Sequence, residues 1–413
     1  MKICLVRCPS PFLINEWTFP PLGLMSVGTS LEAQGHTVHI HDLGIDSLPL
    51  HFDYYGFGAT TPEYPSAMEG LKKVKAANSR ATVILGGPHA TLNPSMGIAD
   101  GFDAVVQGDG EFAAISAFTT AGGIIRGIER PLDEYPMIDR TLVNMAKYRY
   151  LLDGRLATTM MTSQGCPYHC AFCAKNYQEV RFRSAELVMR EIDMLYGMGY
   201  RAILFPEDLF ILRRARAEAI CRYLGHLGII WRCLVRGDLV VRYGQAFCHM
   251  MRETGCVEVG IGVESGSDRV LKIANKAESS ATILQAIHML KAEGIRVKGF
   301  FILGLPGETR ESLEETRLFL EAAKLDNVDI KIFQPYPGTP IWNNRSQYDI
   351  QWLDATDLST TFFKGRPGEY AGTVRTSALS TEDIYAAWIE MEAQFKNYAV
   401  ETSHARELAP PDA

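Results

Sequence analysis

Ser163-Gln164-Gly165-Cys166-Pro167-Tyr168-His169-Cys170-Ala171-Phe172-Cys173 sets three cysteines in a C-x3-C-x2-C spacing on one short loop. The loop follows a β-prone run over 157–163, so it leaves the carboxyl end of a strand. Three thiolates this close in sequence can converge on one metal centre, and thiolate ligation is what an iron–sulfur cluster needs. A four-iron cluster held by three cysteines keeps one iron open to a small molecule. Two plainer arrangements use the same residues. One is a zinc site completed by His169 or a distant ligand, and the other is a set of buried structural thiols. Placement at the active end of a first barrel strand favours the cluster. Cys4, Cys8, Cys221, Cys233, Cys248 and Cys256 have no metal-type spacing and read as core thiols. Cys233 stands apart because its strand ends in the same region.

Downstream, strands are expected over 157–163, 200–206, 229–236, 256–263, 295–303 and 328–334. Helices are expected over 184–198, 213–226, 241–254, 268–292 and 309–323. Six strands alternating with five helices predict a partial (β/α)6 barrel, open on one side, with its chemistry at the strand carboxyl ends. Beyond it, Ser380 and Asp383 form an S-x-x-D helix cap. Ile384, Trp388, Met391 and Phe395 follow at helical spacing.

Upstream, a second alternating series occupies the amino-terminal part. Strands are expected at 2–6, 38–41, 55–59, 81–85 and 103–107, with helices over 22–34 and 66–77. The α/β alternation predicts a Rossmann-like parallel sheet that binds ligands beyond its strand carboxyl ends. The expected division is 1–120 for this domain, 121–154 for a connector, 155–340 for the barrel and 341–413 for a small carboxyl-terminal cap.

The whole chain has 413 residues, 47% hydrophobic and 22% charged, with a net charge of −7. That composition excludes a mainly disordered or collagen-like chain and a small disulfide-stapled domain. The acidic balance provides no overall field to gather nucleic acid or anionic lipid. It is compatible with a small cationic substrate. Nine cysteines is an odd number, and neither a leader pattern nor a long apolar run is present. The expectation is a soluble, reduced, cytoplasmic protein.

The cysteine loop resembles that of the radical S-adenosylmethionine (SAM) superfamily, whose signature carries an aromatic before the last cysteine, here Phe172. The resemblance implies a 4Fe–4S cluster on Cys166, Cys170 and Cys173, with the open iron binding SAM. Reductive cleavage then yields a 5′-deoxyadenosyl radical that abstracts hydrogen from substrate. Phe205-Pro206-Glu207-Asp208 ends strand two, where the family contacts the SAM amino group. Here Glu207 and Asp208 stand in for the usual Gly-Gly-Glu. Arg236, in Trp231-Arg232-Cys233-Leu234-Val235-Arg236, would pair with the SAM carboxylate. Glu264 and Ser265, in Gly260-Ile261-Gly262-Val263-Glu264-Ser265-Gly266, would lie near SAM. Leu303 and Gly304, in the strand-five segment, would flank the adenine. Gln334-Pro335-Tyr336-Pro337-Gly338-Thr339-Pro340 resembles the segment after strand six.

Residues 1–120 resemble the cobalamin (B12)-binding domain often fused ahead of this barrel. The matching pieces are 20–24, 35–38, Leu85-Gly86-Gly87-Pro88-His89-Ala90-Thr91 and Gly108-Asp109-Gly110-Glu111. The D-x-H-x-x-G motif is absent, which decides little. From Asp42 to Tyr54 there are too few residues for a helix and its two loops. The domain therefore reads as degenerate, with cobalamin a doubtful cofactor. His41, His51 and His89 read as hydrogen-bonded histidines rather than cobalt ligands.

The expected function is that of a radical SAM enzyme acting on a small polar metabolite, such as a cationic sugar. The narrower expectation is radical dehydration of a sugar diol, as in aminoglycoside-type antibiotic biosynthesis. Asp208 or Glu207 would act as the base, with Cys233 as a further catalytic candidate. The alternatives are a cobalamin-dependent radical SAM C-methyltransferase and a non-catalytic iron–sulfur sensor. An electron donor such as flavodoxin or ferredoxin would be needed, and no nucleic acid or membrane partner is expected.

Overall fold

The computed structural model describes residues 1–11, 15–120, 122–177, 179–352 and 374–396. Its chain divides into two compact units, the first mainly Met1–Arg149 and the second mainly from Tyr150 onward.

Short β-branched runs build the first unit. Strands β1 (Lys2–Arg7), β2 (Thr37–Asp42), β3 (Tyr54–Gly58), β4 (Thr82–Gly86), β5 (Ala104–Gln107) and β6 (Gly123–Arg126) form one sheet in the order β2-β1-β3-β4-β5-β6. Every pairing is parallel. The strand order reverses between β1 and β3, and in such sheets that switch point opens the ligand crevice. β6 lies within the stretch expected to be a connector. Its residues alternate between half-buried and exposed, so no continuous apolar run marks it in sequence.

No helix joins β2 to β3, as the short spacing foretells. The coil over 43–53 does a helix's work instead. Phe52 is buried, and Leu43 and Leu48 pack against the core made by Cys4, Val6 and Tyr55. Burying these side chains stabilises the crossover by about 25 cal/mol per Å² of apolar surface removed from water.

In the second unit, β7 (Tyr150–Leu152) pairs antiparallel with β8 (Arg155–Thr159) at a sheet edge. A two-stranded ribbon, β9 (Ser163–Gln164) with β10 (Arg181–Phe182), brackets the cysteine loop. Then come β11 (Ala202–Phe205), β12 (Ile230–Val235), β13 (Cys256–Glu264), β14 (Arg296–Leu303) and β15 (Asn327–Ile332). The order β15-β14-β13-β12-β11-β8-β7 gives six parallel strands in a curled half-barrel, each next strand reached through at least one helix.

Two expected helices are divided. The stretch 241–254 lies in helices Gly237–Tyr243 and Gln245–Glu253, broken at Gly244. The stretch 268–292 becomes Asp268–Ile273 and Ser280–Ala292. Asn275 and Ala277 sit in the break with φ of 51° and 57°. That left-handed geometry costs a side-chain-bearing residue roughly 1–2 kcal/mol. Ser279 then caps the second helix through the Thr282 amide.

The tail helix Thr381–Phe395 starts at the expected cap, where Ser380 and Asp383 bond reciprocally. Its Trp388 indole donates to the Ile330 carbonyl on edge strand β15 at 3.0 Å. The rest of the expected cap over 353–373 and 397–413 lies outside the described residues. Among the described residues, no helix is long and apolar enough to cross a membrane.

Candidate active site

The cysteine loop opens where β9 leaves the carboxyl end of the half-barrel. Glu207, 2% exposed and just beyond β11, braces that exit. Its carboxylate accepts the Thr162 amide and, at 2.7 Å, the Thr162 hydroxyl. It also accepts the Ser163 amide at 3.1 Å and hydroxyl at 3.0 Å. Burial raises its pKa, and these donors pull it back. Arg216 adds a bond from Nη2 to the Thr162 carbonyl at 2.8 Å. Glu207 thus aims the loop, while Asp208 beside it is solvent-exposed and electrostatically close to Cys173.

Inside the loop, the Cys173 amide donates to the Cys170 carbonyl at 3.2 Å. The three thiols share one electrostatic neighbourhood, each within reach of the other two. Among the described residues, no three His, Cys, Asp or Glu side chains are gathered to hold a single metal ion. One ion with bonds of about 2.3 Å would draw its sulfurs to within about 4 Å of each other. A cubane instead takes each thiolate on a different iron and accepts a wider triangle. Three cysteines on one short loop are a donor set that an iron–sulfur cluster takes. Phe172 is half-buried, and its neighbour Ala171 is held from both sides. The Ala171 amide donates to Ala274 at 2.8 Å, and its carbonyl accepts the Ile341 amide at 3.1 Å.

Arg236, just beyond β12, stacks its guanidinium 3.5 Å from the Tyr168 ring centre. The Tyr168 hydroxyl donates to Asp238 at 3.0 Å. Arg236 is also paired with Asp238 and Glu278, both at 3.1 Å. The arginine expected to meet the SAM carboxylate pins the cysteine loop through these contacts.

A second buried cation, Lys276, acts on the Cys170 thiol. Lys276, unremarked in the sequence because 268–292 reads as one helix, places Nζ 3.0 Å from Glu264 Oε1 and 3.7 Å from Glu278 Oε2. Burial works to lower its pKa, but the two carboxylates outweigh it and keep the ammonium charged. Glu264 ends β13 with φ of 66°, a strained position that turns its side chain toward this cation. A Cβ at 262 would meet Glu264 Oε1 and lie 2.9 Å from Lys276 Nζ, so a side chain there would displace the ends of this ion pair. The clearest sequence signals of the break are Asn275 and the Ser279 cap.

The remaining candidates have hydrogen-bond partners within their own unit. Ser265 Oγ accepts the Ser267 amide at 3.1 Å and meets Thr316 Oγ1 at 3.3 Å. The Leu303 carbonyl accepts the Phe333 amide at 2.7 Å. The Gly304 amide donates to Glu308. Cys233 needs a correction. It shares the buried face of β12 with Trp231 and Val235, beside Cys221 of helix Arg214–His226. Burial, with the Cys256 thiol, holds it well above the ordinary thiol range. It is a core thiol on the helix-packed face, away from the face where Arg232 pairs with Glu258 at 3.1 Å.

In the first unit, the loops beyond β1, β3 and β4 supply a cradle. Gly87 has φ of 90°, and a Cβ there would lie 3.0 Å from the Ala59 amide nitrogen. Ser10 Oγ and His89 Nε2 are buried without hydrogen-bond partners. His89 stacks on Tyr64 at 4.1 Å and reaches Thr61 through Nδ1 at 3.2 Å. Burial lowers its pKa to about 4, so it is neutral. Backbone in close approach and unused polar atoms suit a large polar cofactor. The sequence argument against cobalamin rested on the missing crossover helix, and the sheet forms without it.

Comparison with known proteins agrees with this architecture. Residues 160–320 match the Radical SAM superfamily model, and residues 16–116 match the B12 binding domain model. An uncharacterised methyltransferase of Pyrococcus horikoshii is 32% identical over 404 residues, covering 87% of each chain. An anaerobic magnesium-protoporphyrin IX monomethyl ester cyclase of Rubrivivax gelatinosus is 26% identical, over 80% of this chain and 66% of its own length. The fold resembles that of the cobalamin-dependent SAM radical enzyme OxsB, solved with aqua-cobalamin and SAM bound. The TM-score is 0.70 at 17% identity, over 95% of this chain and 67% of that one.

Proposed function

This chain belongs to the radical SAM superfamily and carries a B12-binding domain ahead of its barrel, and on that premise we propose that it is a cobalamin-dependent radical SAM methyltransferase. The observation that carries the proposal is likeness to a methyltransferase along nearly the whole chain, spanning both domains rather than the barrel alone. It favours the alternative reading of the sequence over dehydration of a sugar diol.

When bound, the cluster with SAM supplies one-electron cleavage to a 5′-deoxyadenosyl radical, and cobalamin supplies a transferable methyl group. Cys166, Cys170 and Cys173 hold the cluster. Glu207 and Arg216 fix the strand exit, and Tyr168, clamped by Arg236 and Asp238, fixes the loop's middle. Glu264, paired with Lys276, would lie near SAM. Asp208, exposed just beyond β11, would be open to substrate. The loops around Ser10, Gly87 and His89 hold cobalamin.

The substrate is a polar metabolite. Support comes from charged side chains among the barrel strands, where Lys298 pairs with Asp329 at 3.0 Å and Arg232 with Glu258 at 3.1 Å. A low-potential electron carrier of the flavodoxin or ferredoxin type completes the system.

The test is anaerobic reconstitution with iron, sulfide, hydroxocobalamin and a strong reductant, followed by mass spectrometry of SAM products. S-adenosylhomocysteine should form only when cobalamin is present. Failure to bind a corrinoid, or 5′-deoxyadenosine as the sole product with cobalamin bound, would refute the methyltransferase.

A further inference from the structure

The break at 274–279 does more than separate two helices. It straddles Cys170. On one side Asn275 Nδ2 donates to the His169 carbonyl at 2.6 Å. On the other the Ala171 amide donates to the Ala274 carbonyl at 2.8 Å. Arg236 Nη2 pins the backbone between them through the Lys276 carbonyl at 3.0 Å. Two left-handed residues, Asn275 and Ala277, flank the lysine. The Lys276 side chain is 7% exposed, and its partners are Glu264 and Glu278.

A buried ion pair alone is a poor reason for such a turn, since apolar residues of equal volume usually pack more stably. Strained non-glycine residues gather where a side chain must be delivered to a set place. Here the delivered group is a desolvated ammonium, on a turn whose residues Ala274 and Asn275 bond the chain on either side of Cys170, and its charge acts on the Cys170 thiol. Solvent ions screen a buried charge weakly, so its field acts on any charge that develops nearby.

We propose that Lys276 is a positioning residue for electron entry: its ammonium, carried on the turn strapped across Cys170, favours uptake of one electron by the cluster, and Glu264 opposes it. The electron comes from an external low-potential carrier. The oxidised cluster gains one negative charge, and no bond forms or breaks. A nearby fixed cation stabilises that added charge, as local charge and hydrogen bonding do in other iron–sulfur centres. The proposal rests on the cluster assigned above.

The test is a redox titration of the reconstituted full chain with mediators, read by electron paramagnetic resonance. Lys276→Met should lower the ratio of reduced to oxidised cluster at a fixed poise by about five-fold or more. Lys276→Arg should stay within about two-fold of the parent. Glu264→Gln should move the ratio the opposite way. Opposite shifts support the proposal. No shift in a cluster-replete Lys276→Met protein, or shifts of the same sign in Lys276→Met and Glu264→Gln, overturns it. Should Lys276→Met not retain a cluster, Lys276→Gln takes its place, and the sign of the Glu264→Gln shift decides alone if neither reconstitutes. A parent protein that assembles no cluster at all would instead sink the assignment of Cys166, Cys170 and Cys173.

Discussion

The guanidinium of Arg236 lies 3.5 Å from the centre of the Tyr168 ring, so a residue beyond the third barrel strand holds down the middle of the cysteine loop. The contact spans nearly seventy residues of chain. It ties the geometry of Cys166 and Cys170 to a buried ion network rather than to the loop's own backbone.

Removing that clamp should loosen the loop and destabilise the fold together. Arg236→Ala leaves Glu278 buried without its nearest cation, and breaking such a pair typically costs about 3 kcal/mol or more. Thermal unfolding should show the loss, and iron content after reconstitution should fall. Tyr168→Phe removes only the hydroxyl bond to Asp238 and should have a much smaller effect. Equal losses in the two variants would contradict this division.

Glu207→Gln tests the brace at the loop's exit. The amide keeps one acceptor oxygen but loses the charge that gathers Thr162 and Ser163. Charge-assisted hydrogen bonds contribute about 1.5–3 kcal/mol, so denaturant unfolding should detect the change. Cluster yield should drop as well. A variant with parental stability and full iron content would mean the brace is dispensable.

Cys233→Ala should cost on the order of 1 kcal/mol of stability and leave SAM cleavage near the parental rate, because the thiol packs on the helix side of its strand. A folded, cluster-replete variant that no longer cleaves SAM would restore Cys233 to the chemistry.

Glu308 makes stability depend on pH. Burial raises its pKa from the usual 4.5 to about 8, against the pull of the Gly304 amide. The folded state therefore keeps this proton while the unfolded chain releases it above about pH 4.5. Stability should be fully present below that point and decline up to about pH 8. The slope is at most about 1.4 kcal/mol per pH unit from this one group. Urea titrations at pH 5 and pH 8 should show a smaller difference for Glu308→Gln than for the parent. Identical pH dependence in both would remove Glu308 from the account.

The chain's order of residues determined what depends on neighbours in sequence. Three cysteines within eight positions specify their own loop. Alternating strands and helices specify two parallel sheets, and the interval from Asp42 to Tyr54 excludes a crossover helix. Each of these follows from spacing and local propensity. Only the tertiary structure decided which charges meet. Asn275 reaches His169 across 106 positions, and Arg236 takes Asp238 and Glu278 as partners. Lys276 emerges from a helix pattern that breaks only because Asn275 and Ala277 accept strained dihedrals. Cys233 and Glu207 read as reactive groups until the packing on each side of their strands is known. A side chain's role depends on which face it takes and what already satisfies it, and those are properties of contacts that no short stretch of sequence contains.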